Sequence, residues 1–278
     1  MQQSQLATRF KTLSGFAKAN APLTDAEIRH AAPSIFASNA HGSRSERYTL
    51  IPTIDVLTQL RKEGFQPFMV AQTRVRDQGK VEHTKHMIRL RHPSQINGTE
   101  ANEIIVLNSH DGSSAFQLLS GCFRFVCANG MVCGDINSDI RVPHKGDVVD
   151  RVVSGAFEVL DGFTRVVEDR ESMKGVTLDE GEQAAFGKAA IALRYDTEVA
   201  PAPITERQVL SPRRAADNGS DLWTTFNRVQ ENLIRGGLPA RSARGARTRT
   251  REVAGIDQGV KLNRALWVLA NEMRKLRG

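Results

Sequence analysis

The sequence has little cysteine, few aromatic residues and no long apolar run, and each shortage excludes a class of protein. Its three cysteines, Cys122, Cys127 and Cys133, include no C-x-x-C pair, so neither a disulfide framework nor a zinc knuckle is indicated. No segment approaches about 18 consecutive apolar residues, and the start of the chain lacks the pattern of a signal peptide. We therefore expect a cytoplasmic protein with no membrane partner. A Walker A motif and a G-x-G-x-x-G motif are also absent, which argues against nucleotide hydrolysis.

The charge is distributed unevenly along an otherwise ordinary globular composition. Of the 278 residues, 40% are hydrophobic and 25% are charged, and the formal net charge is +7. Residues 205–278 hold 15 basic and 7 acidic side chains, whereas residues 1–204 hold 23 and 24. This asymmetry indicates a polyanionic partner, most often nucleic acid, although an acidic protein surface also fits.

The apolar periodicities predict an α+β fold, with an antiparallel sheet and helices over residues 1–200 and a basic helical region over residues 201–278. The predicted elements are a helix from Leu23 that ends at Pro33, a strand over Tyr48–Ile51, a helix from Pro52 to Gly64, a strand over Glu103–Leu107, a buried helix from Ala115 to Cys127, one long helix from Val148 to Val167, a helix over Ala184–Leu193 that starts with a capping box at Thr177 and Glu180, and helices over Leu222–Leu233 and Val260–Met273.

A long β-hairpin is predicted from Phe65 to His92, with its turn at Asp77–Lys80. With a loop of two or four residues, alternate side chains of both strands share one basic face. The members of this face are Arg74, Arg76, His83, Lys85, Arg89 and Arg91, and we expect the arginines and Lys85 to line a groove for nucleic acid. A three-residue bulged loop would reverse one strand and destroy the face, and a solvated face that binds nothing is equally compatible.

The polar turn from Asn108 to Ser114 is predicted to lie at the N-terminus of the buried helix, where free backbone N–H groups could hold an anion. The candidate anion-binding residues are Asn108, Ser109, His110, Gly112, Ser113 and Ser114. His110 and Asp111 with a nearby serine also allow an acyl-transfer site, but capping and turn formation explain these residues more simply. His83 and His86 would point to opposite faces of a strand and could not share a metal ion, so the sequence predicts no metal site. It also predicts no cofactor and no catalytic residue.

An arginine-rich segment is the strongest functional signal in the chain. We call residues 241–251 the arginine arm; it contains Arg241, Arg244, Arg247, Arg249 and Arg251 and no acidic residue. Planar guanidinium groups suit phosphate contacts, and the absence of an aromatic residue favours backbone contacts over base reading. Arg235, which precedes the arm, joins the candidate set. We expect the arm to be flexible when unbound, and a solubilising linker is the simpler alternative.

Several stretches carry a family resemblance. They are Ala32–Ala37, Tyr48–Thr53, Lys85–Arg91, Asn108–Ser114, Glu231–Gly237 and Lys261–Trp267, together with the arginine arm. In this order they resemble the phage/plasmid-like proteins of unknown function, domain-of-unknown-function family 932, over nearly the whole chain. The resemblance implies an accessory protein of a mobile element and supplies no catalytic residue. The predicted element order is also similar to the annealing core of single-strand annealing proteins, in which a basic groove holds DNA.

These observations lead to one expected function and two alternatives. We expect binding to DNA, in single-stranded form and without strict sequence preference, in the recombination, replication or protection of a mobile element. The first alternative is an antagonist of a host defence system that docks on an acidic host protein. The second is an enzyme with a site near His110 and Asp111. The sequence is also compatible with a homo-oligomer.

Overall fold

The computed structural model describes residues 15–45, 48–125, 129–134, 139–142, 144, 149–243 and 245–277. Within these ranges the chain forms two compact units. The first comprises the described residues up to Gly121 together with residues 139–160, and the second comprises those within 122–138 and 161–278. The domain division expected at residue 200 remains a prediction, since these units reflect packing within the chain and not independent folding.

Both helices and antiparallel strands are present, which confirms the α+β class. The described strands are β1 (Phe16–Lys18), β2 (Gln66–Gln72), β3 (His86–Asn97), β4 (Glu100–Asn108), β5 (Phe116–Arg124), β6 (Asn129–Val132), β7 (Ile140–Val142), β8 (Pro239–Arg241) and β9 (Arg247–Arg249). The α-helices are α1 (Asp25–Ala31), α2 (Thr53–Lys62), α3 (Val149–Asp161), α4 (Phe163–Gly175), α5 (Glu180–Arg194), α6 (Glu206–Val209), α7 (Leu222–Arg235) and α8 (Ile256–Leu276).

The main sheet has the strand order β1-β2-β3-β4-β5-β6, and β7 also pairs with β5. The pairs β1–β2, β2–β3, β3–β4 and β5–β7 are antiparallel, and β8 and β9 form a separate antiparallel hairpin. All residues of β4 are buried, so this central strand is covered on both faces. Burial of both faces explains why residues 104–107 of this strand are a continuous apolar run rather than an alternating pattern.

Local start and stop signals place several helices correctly. Thr24 caps α1, and its side chain and that of Glu27 form a reciprocal capping box. Gly64 follows α2 with a φ of +89°, and a Cβ at this position would lie 2.7 Å from Nε2 of His92. Only glycine meets both conditions without strain. The predicted helices at Leu222–Leu233 and Val260–Met273 are confirmed as parts of α7 and α8.

The buried helix predicted from Ala115 to Cys127 is wrong, because most of this segment forms strand β5. Every residue of β5 except Gln117 is buried. A short run that is apolar on both faces contains the helical spacing as well as the strand spacing, so periodicity cannot separate the two. Cys122 is buried in this strand, with its Sγ 3.8 Å from Nη1 of Arg170, and Cys133 is buried beyond it, while Cys127 lies outside the described residues.

Three further sequence expectations need correction. Residues 48–51 form no strand. The helix expected from Val148 to Val167 is instead α3 and α4, which are separated at Gly162, and Val148 lies outside the described residues. The capping box of α5 is made by Asp179 and Glu182. Thr177, which was expected to cap this helix, forms a β-bridge with Asp221 instead.

The predicted hairpin register is wrong by one residue over most of its length. Gln66 pairs with Arg91 as expected, but the register shifts between Pro67 and Met69, so that Met69 faces Arg89. One extra residue in a strand turns all later side chains of that strand to the opposite face. Residues 73–85 then connect β2 to β3 without forming strands, so the common basic face does not form.

The core of the second unit is built around three aromatic rings. Trp267 lies edge-on to Trp223 and to Phe226, with ring centroids 6.4 and 6.1 Å apart. Trp267 is 1% exposed, whereas its neighbour Val268 on α8 is 50% exposed. The buried face of α8 therefore depends on one large side chain that no smaller residue can replace without leaving a cavity.

We expect Trp267→Ala to lower the free energy of unfolding by about 3–5 kcal/mol, because it removes a large buried side chain and leaves a cavity. Val268→Ala, the matched control on the exposed face, should change it by no more than about 0.5 kcal/mol. Urea unfolding followed by circular dichroism measures both values. Equal effects of the two substitutions would contradict the packing described for α8.

Candidate functional site

The arginine arm is a folded hairpin, which corrects the expectation that it is flexible. Strands β8 and β9 pair through Ala240 with Thr248 and Arg241 with Arg247. Gly245 turns the chain between them with a φ of +78°, a conformation that favours glycine. Arg244 lies outside the described residues.

The base of the hairpin is fixed against the end of α7. Gly236 ends this helix with a φ of +63°, and a Cβ there would lie 2.6 Å from the carbonyl carbon of Arg251. The backbone N–H of Gly237 donates to the carbonyl of Thr250 at 2.8 Å, and that of Val253 donates to the carbonyl of Ile234 at 2.8 Å. These contacts set the position from which the arginine side chains project.

The arm forms one wall of an open groove with a volume of about 430 Å³, and the opposite wall follows from the end of α5. We call this site the arginine groove and define it by its charged and aromatic lining residues: Arg194, Tyr195, Asp196, Arg241, Arg249 and Arg251. Four guanidinium groups thus line the groove together with one carboxylate. The sequence pointed to the three arginines of the arm but not to the residues that follow α5.

The described arginines of the arm are exposed and have no carboxylate partner among the described residues; they are Arg241, Arg247, Arg249 and Arg251. Arg241 donates to the carbonyl of Gly245 at 3.2 Å, and Arg249 donates to that of Gly237 at 2.7 Å. A guanidinium group has five N–H donors, so these single bonds orient the side chains and leave most donors free for a ligand. The result is a concentrated positive charge that faces water.

Arg194 supports the opposite wall. Its Nη2 donates to the carbonyl of Arg251, and its guanidinium carbon lies 5.3 Å from the centroid of the Tyr195 ring. Nη1 is buried and has no hydrogen-bond partner in the part of the chain that the structure describes. Burial lowers the pKa of Arg194 from its usual value. An unused donor therefore lies beside the groove.

Arg235 has a different environment from the arm. Its Nη1 lies 2.6 Å from Oε1 of Glu231, which also accepts from Arg214 at 2.6 Å. The predicted binding residue at the end of α7 is thus already paired with a carboxylate, and its charge is locally compensated.

The basic residues predicted on the hairpin of the first unit do not share a surface. Arg89 and Arg91 are buried, and both donate through Nε to the carboxylate of Glu103, from Arg91 at 2.8 Å. The guanidinium carbon of Arg91 also lies 4.4 Å from the centroid of the Phe68 ring. These two arginines stabilise the sheet and are inaccessible to a phosphate.

The other basic residues of that predicted face lie on the connection between β2 and β3. Arg74 and Arg76 are exposed, and Lys85 is partly buried. These residues lie outside the paired strands, whereas Arg89 and Arg91 are buried within β3.

The turn over residues 108–114 joins β4 to β5 and not to a helix, so the predicted anion seat at a helix N-terminus is wrong. The backbone N–H of Ser113 donates to Oδ1 of Asp111 at 2.9 Å, and that of Ser114 donates to Oγ of Ser109 at 2.9 Å. Gly112 adopts a φ of +76°. Two of the N–H groups expected to bind an anion are therefore satisfied within the turn. Asn108, Ser109 and His110 are buried.

Two buried histidines of the first unit, His86 and His110, lie close to hydroxyl groups. The ring of His86 lies between two of them, with Nδ1 2.8 Å from Oγ of Ser34 and Nε2 2.8 Å from Oγ1 of Thr53. Asn108 donates to the same threonine oxygen at 2.9 Å, and Nε2 of His110 lies 3.5 Å from it. The chain of contacts links strands β3 and β4 and helix α2 through buried polar atoms.

This environment keeps both rings neutral. Burial lowers the pKa of His86 to about 3 and that of His110 to about 4. No hydrogen bond joins His110 to Ser113 or Ser114 among the described residues, so the arrangement expected for acyl transfer does not form there. The described residues also contain no group of three or more His, Cys, Asp or Glu side chains that could hold a metal ion.

Comparison with known proteins finds a matching family and close relatives for the chain. The family described as "Domain of unknown function (DUF932)" matches residues 40–267. UPF0380 protein YafZ and UPF0380 protein YfjQ, both of Escherichia coli strain K12, are each 53% identical over 270 residues, which is 97% of this chain and 98% of each relative. No solved structure matches. Within the described ranges, no helix has the length and apolar character to cross a bilayer.

We expect the free energy of unfolding to fall between pH 6.5 and pH 5. The pKa of His86 is lower in the folded protein than its ordinary value of 6.5, so the unfolded state binds more protons and gains stability as the pH falls. The loss should be roughly 1–2 kcal/mol by pH 5 for each such buried histidine. Urea unfolding at several pH values measures it.

The control for this pH dependence is His30, which is exposed on α1. His86→Asn should reduce the dependence between pH 6.5 and 5, with the contribution of His110 remaining, whereas His30→Asn should leave it as in the wild type. A wild-type stability that does not change over this interval would show that the buried rings do not stay neutral.

We expect Glu103→Gln to lower the free energy of unfolding by about 3–5 kcal/mol, because it leaves two buried guanidinium groups without their shared carboxylate. Glu82→Gln makes the same chemical change on an exposed residue and should have almost no effect. Chemical denaturation of both variants gives the comparison. A loss of the same size in both would mean that the ion pairs of Glu103 contribute nothing specific.

Proposed function

Since the chain belongs to the DUF932 family, whose function is unknown, we propose a function from its own surface: it binds single-stranded DNA through the arginine groove, without strict sequence preference. The observation that carries this proposal is the exposed positive charge of the arginine arm. Its described arginines face water beside an open groove and have no carboxylate partner among the described residues.

Other arginines of the chain are paired with carboxylates and have a structural role. Arg124 lies 2.6 Å from Asp217, Arg274 lies 2.9 Å from Asp169, and Arg277 lies 3.1 Å from Glu182. These pairs neutralise charge locally and contribute little net field. The arm departs from that pattern, and an uncompensated basic cluster raises the local concentration of a polyanion.

The chemistry of the arm favours the phosphate backbone as the ligand. Guanidinium groups bind phosphate oxygens through paired N–H donors, and such contacts carry no base information. Each strand of the hairpin has three residues and spans about 10 Å, so the site contacts a few nucleotides. Arg74 and Arg76, which are exposed in the first unit, are further candidates for phosphate contacts.

The biological setting is the part of the proposal that rests on family resemblance alone. A nonspecific single-strand binder would serve the recombination, replication or protection of a mobile element. The resemblance to phage/plasmid-like proteins favours this setting, and the surface chemistry agrees with it.

The triple substitution of Arg241, Arg247 and Arg249 by Gln tests the proposal. We expect a loss of affinity for labelled oligo(dT) of roughly 10- to 100-fold, and a salt dependence of log affinity that is shallower by about 2, because three phosphate contacts disappear. Fluorescence anisotropy across a salt series measures both. The matched control removes the same charge from exposed Lys62, Lys188 and Lys275 and should retain most of the binding.

Two outcomes would count against the proposal. If the arm variant binds as tightly as the wild type, the arm does not form the interface. If the wild type binds no DNA even at low salt but retains a host protein after nuclease treatment, the arginines serve an acidic protein partner instead.

A further inference from the structure

We infer that Tyr195 is the base-stacking residue of the arginine groove, and that the groove therefore selects nucleic acid whose bases are unpaired. The inference rests on the proposed function, since it requires a nucleic-acid strand along the arginine arm. It adds a second type of contact, to the bases, which the arm itself cannot make because it contains no aromatic side chain.

The position of Tyr195 is set by the end of helix α5. It is the residue directly after the helix, its backbone N–H donates to the carbonyl of Ile191 at 2.9 Å, and its backbone is extended, with φ −118° and ψ 133°. The change from helical to extended backbone at this residue brings the ring to the wall of the groove opposite the arm. A helix end is a rigid support, so the ring is held in place before any ligand binds.

Part of the Tyr195 side chain packs against the hydrophobic core of the second unit, and the rest of it is accessible. Its hydroxyl has no hydrogen-bond partner among the described residues. The chain's other tyrosine behaves differently: the Tyr48 hydroxyl donates to the carbonyl of Ser109 at 2.9 Å, and its ring stacks on His144 with centroids 4.5 Å apart. A partly exposed ring without a hydrogen bond is available for a ligand.

The neighbours of the ring match the two chemical parts of a nucleotide. Arg194 lies over the ring, with its guanidinium carbon 5.3 Å from the centroid, while Arg241, Arg249 and Arg251 line the same groove. A base can stack on the accessible part of the aromatic ring, or on the guanidinium plane that lies over it, while its phosphate contacts the arginines of the arm. Burial raises the pKa of Tyr195, so its hydroxyl stays neutral and does not repel phosphate.

Selectivity for single strands follows from access to the base faces. In a duplex both faces of each base are stacked on neighbours, so an aromatic side chain reaches them only after unstacking. In a single strand these faces are open, and stacking on an aromatic ring is tolerant of sequence. The groove is then specific for strand state rather than for sequence.

The test compares three probes with equal labels: oligo(dT), an abasic oligonucleotide with the same number of phosphates, and a duplex of the same length. We expect Tyr195→Ala to weaken oligo(dT) binding by roughly 5- to 150-fold and to leave abasic binding unchanged within about twofold. Tyr195→Phe should bind like the wild type, because stacking needs the ring and not the hydroxyl. Leu193→Ala, an exposed residue two positions earlier, is the control and should change nothing.

Each other outcome has a distinct meaning. The inference is overturned if wild-type protein binds the oligo(dT), abasic and duplex probes equally, or if Tyr195→Ala weakens oligo(dT) and abasic binding alike. In either case the proposed phosphate binding still stands. If the wild type binds none of the probes at low salt, the proposed function fails first and the inference fails with it. The wild-type comparison and the Tyr195→Phe variant decide the matter even if Tyr195→Ala does not fold.

Discussion

The shared ion pair of Glu103 with Arg89 and Arg91 is the interaction on which the sheet of the first unit depends. Arg91 and Glu103 are direct partners across β3 and β4, and Arg89 reaches the same carboxylate. Charges removed from water are tolerated only when they are paired and hydrogen-bonded. The next strand makes room for them, since a Cβ at Gly121 would lie 3.0 Å from Nη2 of Arg89. The arginines, the glutamate and the glycine therefore form one packing unit.

The same rule separates structural arginines from candidate binding arginines throughout the chain. In the second unit, Asp217 accepts from Arg124 and Arg214, and Glu231 accepts from Arg214 and Arg235. These arginines keep their positive charge, but the neighbouring carboxylates compensate it locally in the folded protein. The arginine arm has no such partner among the described residues. Its charge is left for an external anion, and this contrast supports a nucleic-acid partner more strongly than the overall net charge does.

The buried histidines show the equivalent solution for neutral polar groups. His86 meets a hydroxyl on each side of its ring, and Thr53 is shared with Asn108. Burial keeps the His86 ring neutral, and nearby hydroxyl groups are hydrogen-bond partners for both of its nitrogens. The ring therefore belongs to the core of the first unit. The candidate binding site therefore lies in the second unit, where the hairpin of the arginine arm and the end of helix α5 form the arginine groove.

Much of the helical structure was determined by the sequence alone, because its signals act over a few residues. The capping box at Thr24 and the glycines after α2 and α7 mark helix ends through hydrogen bonds and φ values that neighbouring residues decide. The α+β class and the charge excess of the arginine arm were also readable in this way. They depend only on composition and on local periodicity.

Tertiary structure decided the features that depend on distant partners. Strand β5 is a strand because neighbouring strands pair with it, although its apolar run also fits a helix. The irregularity at the start of β2 changed its register with β3, and the pairing of β3 with β4 placed Arg89 beside the carboxylate of Glu103 in the buried sheet. Only folding brings Tyr195 to the same groove as the arginine arm. Hydrogen bonds within a helix join residues four apart, whereas pairing, burial and charge compensation join residues that the sequence leaves far from one another.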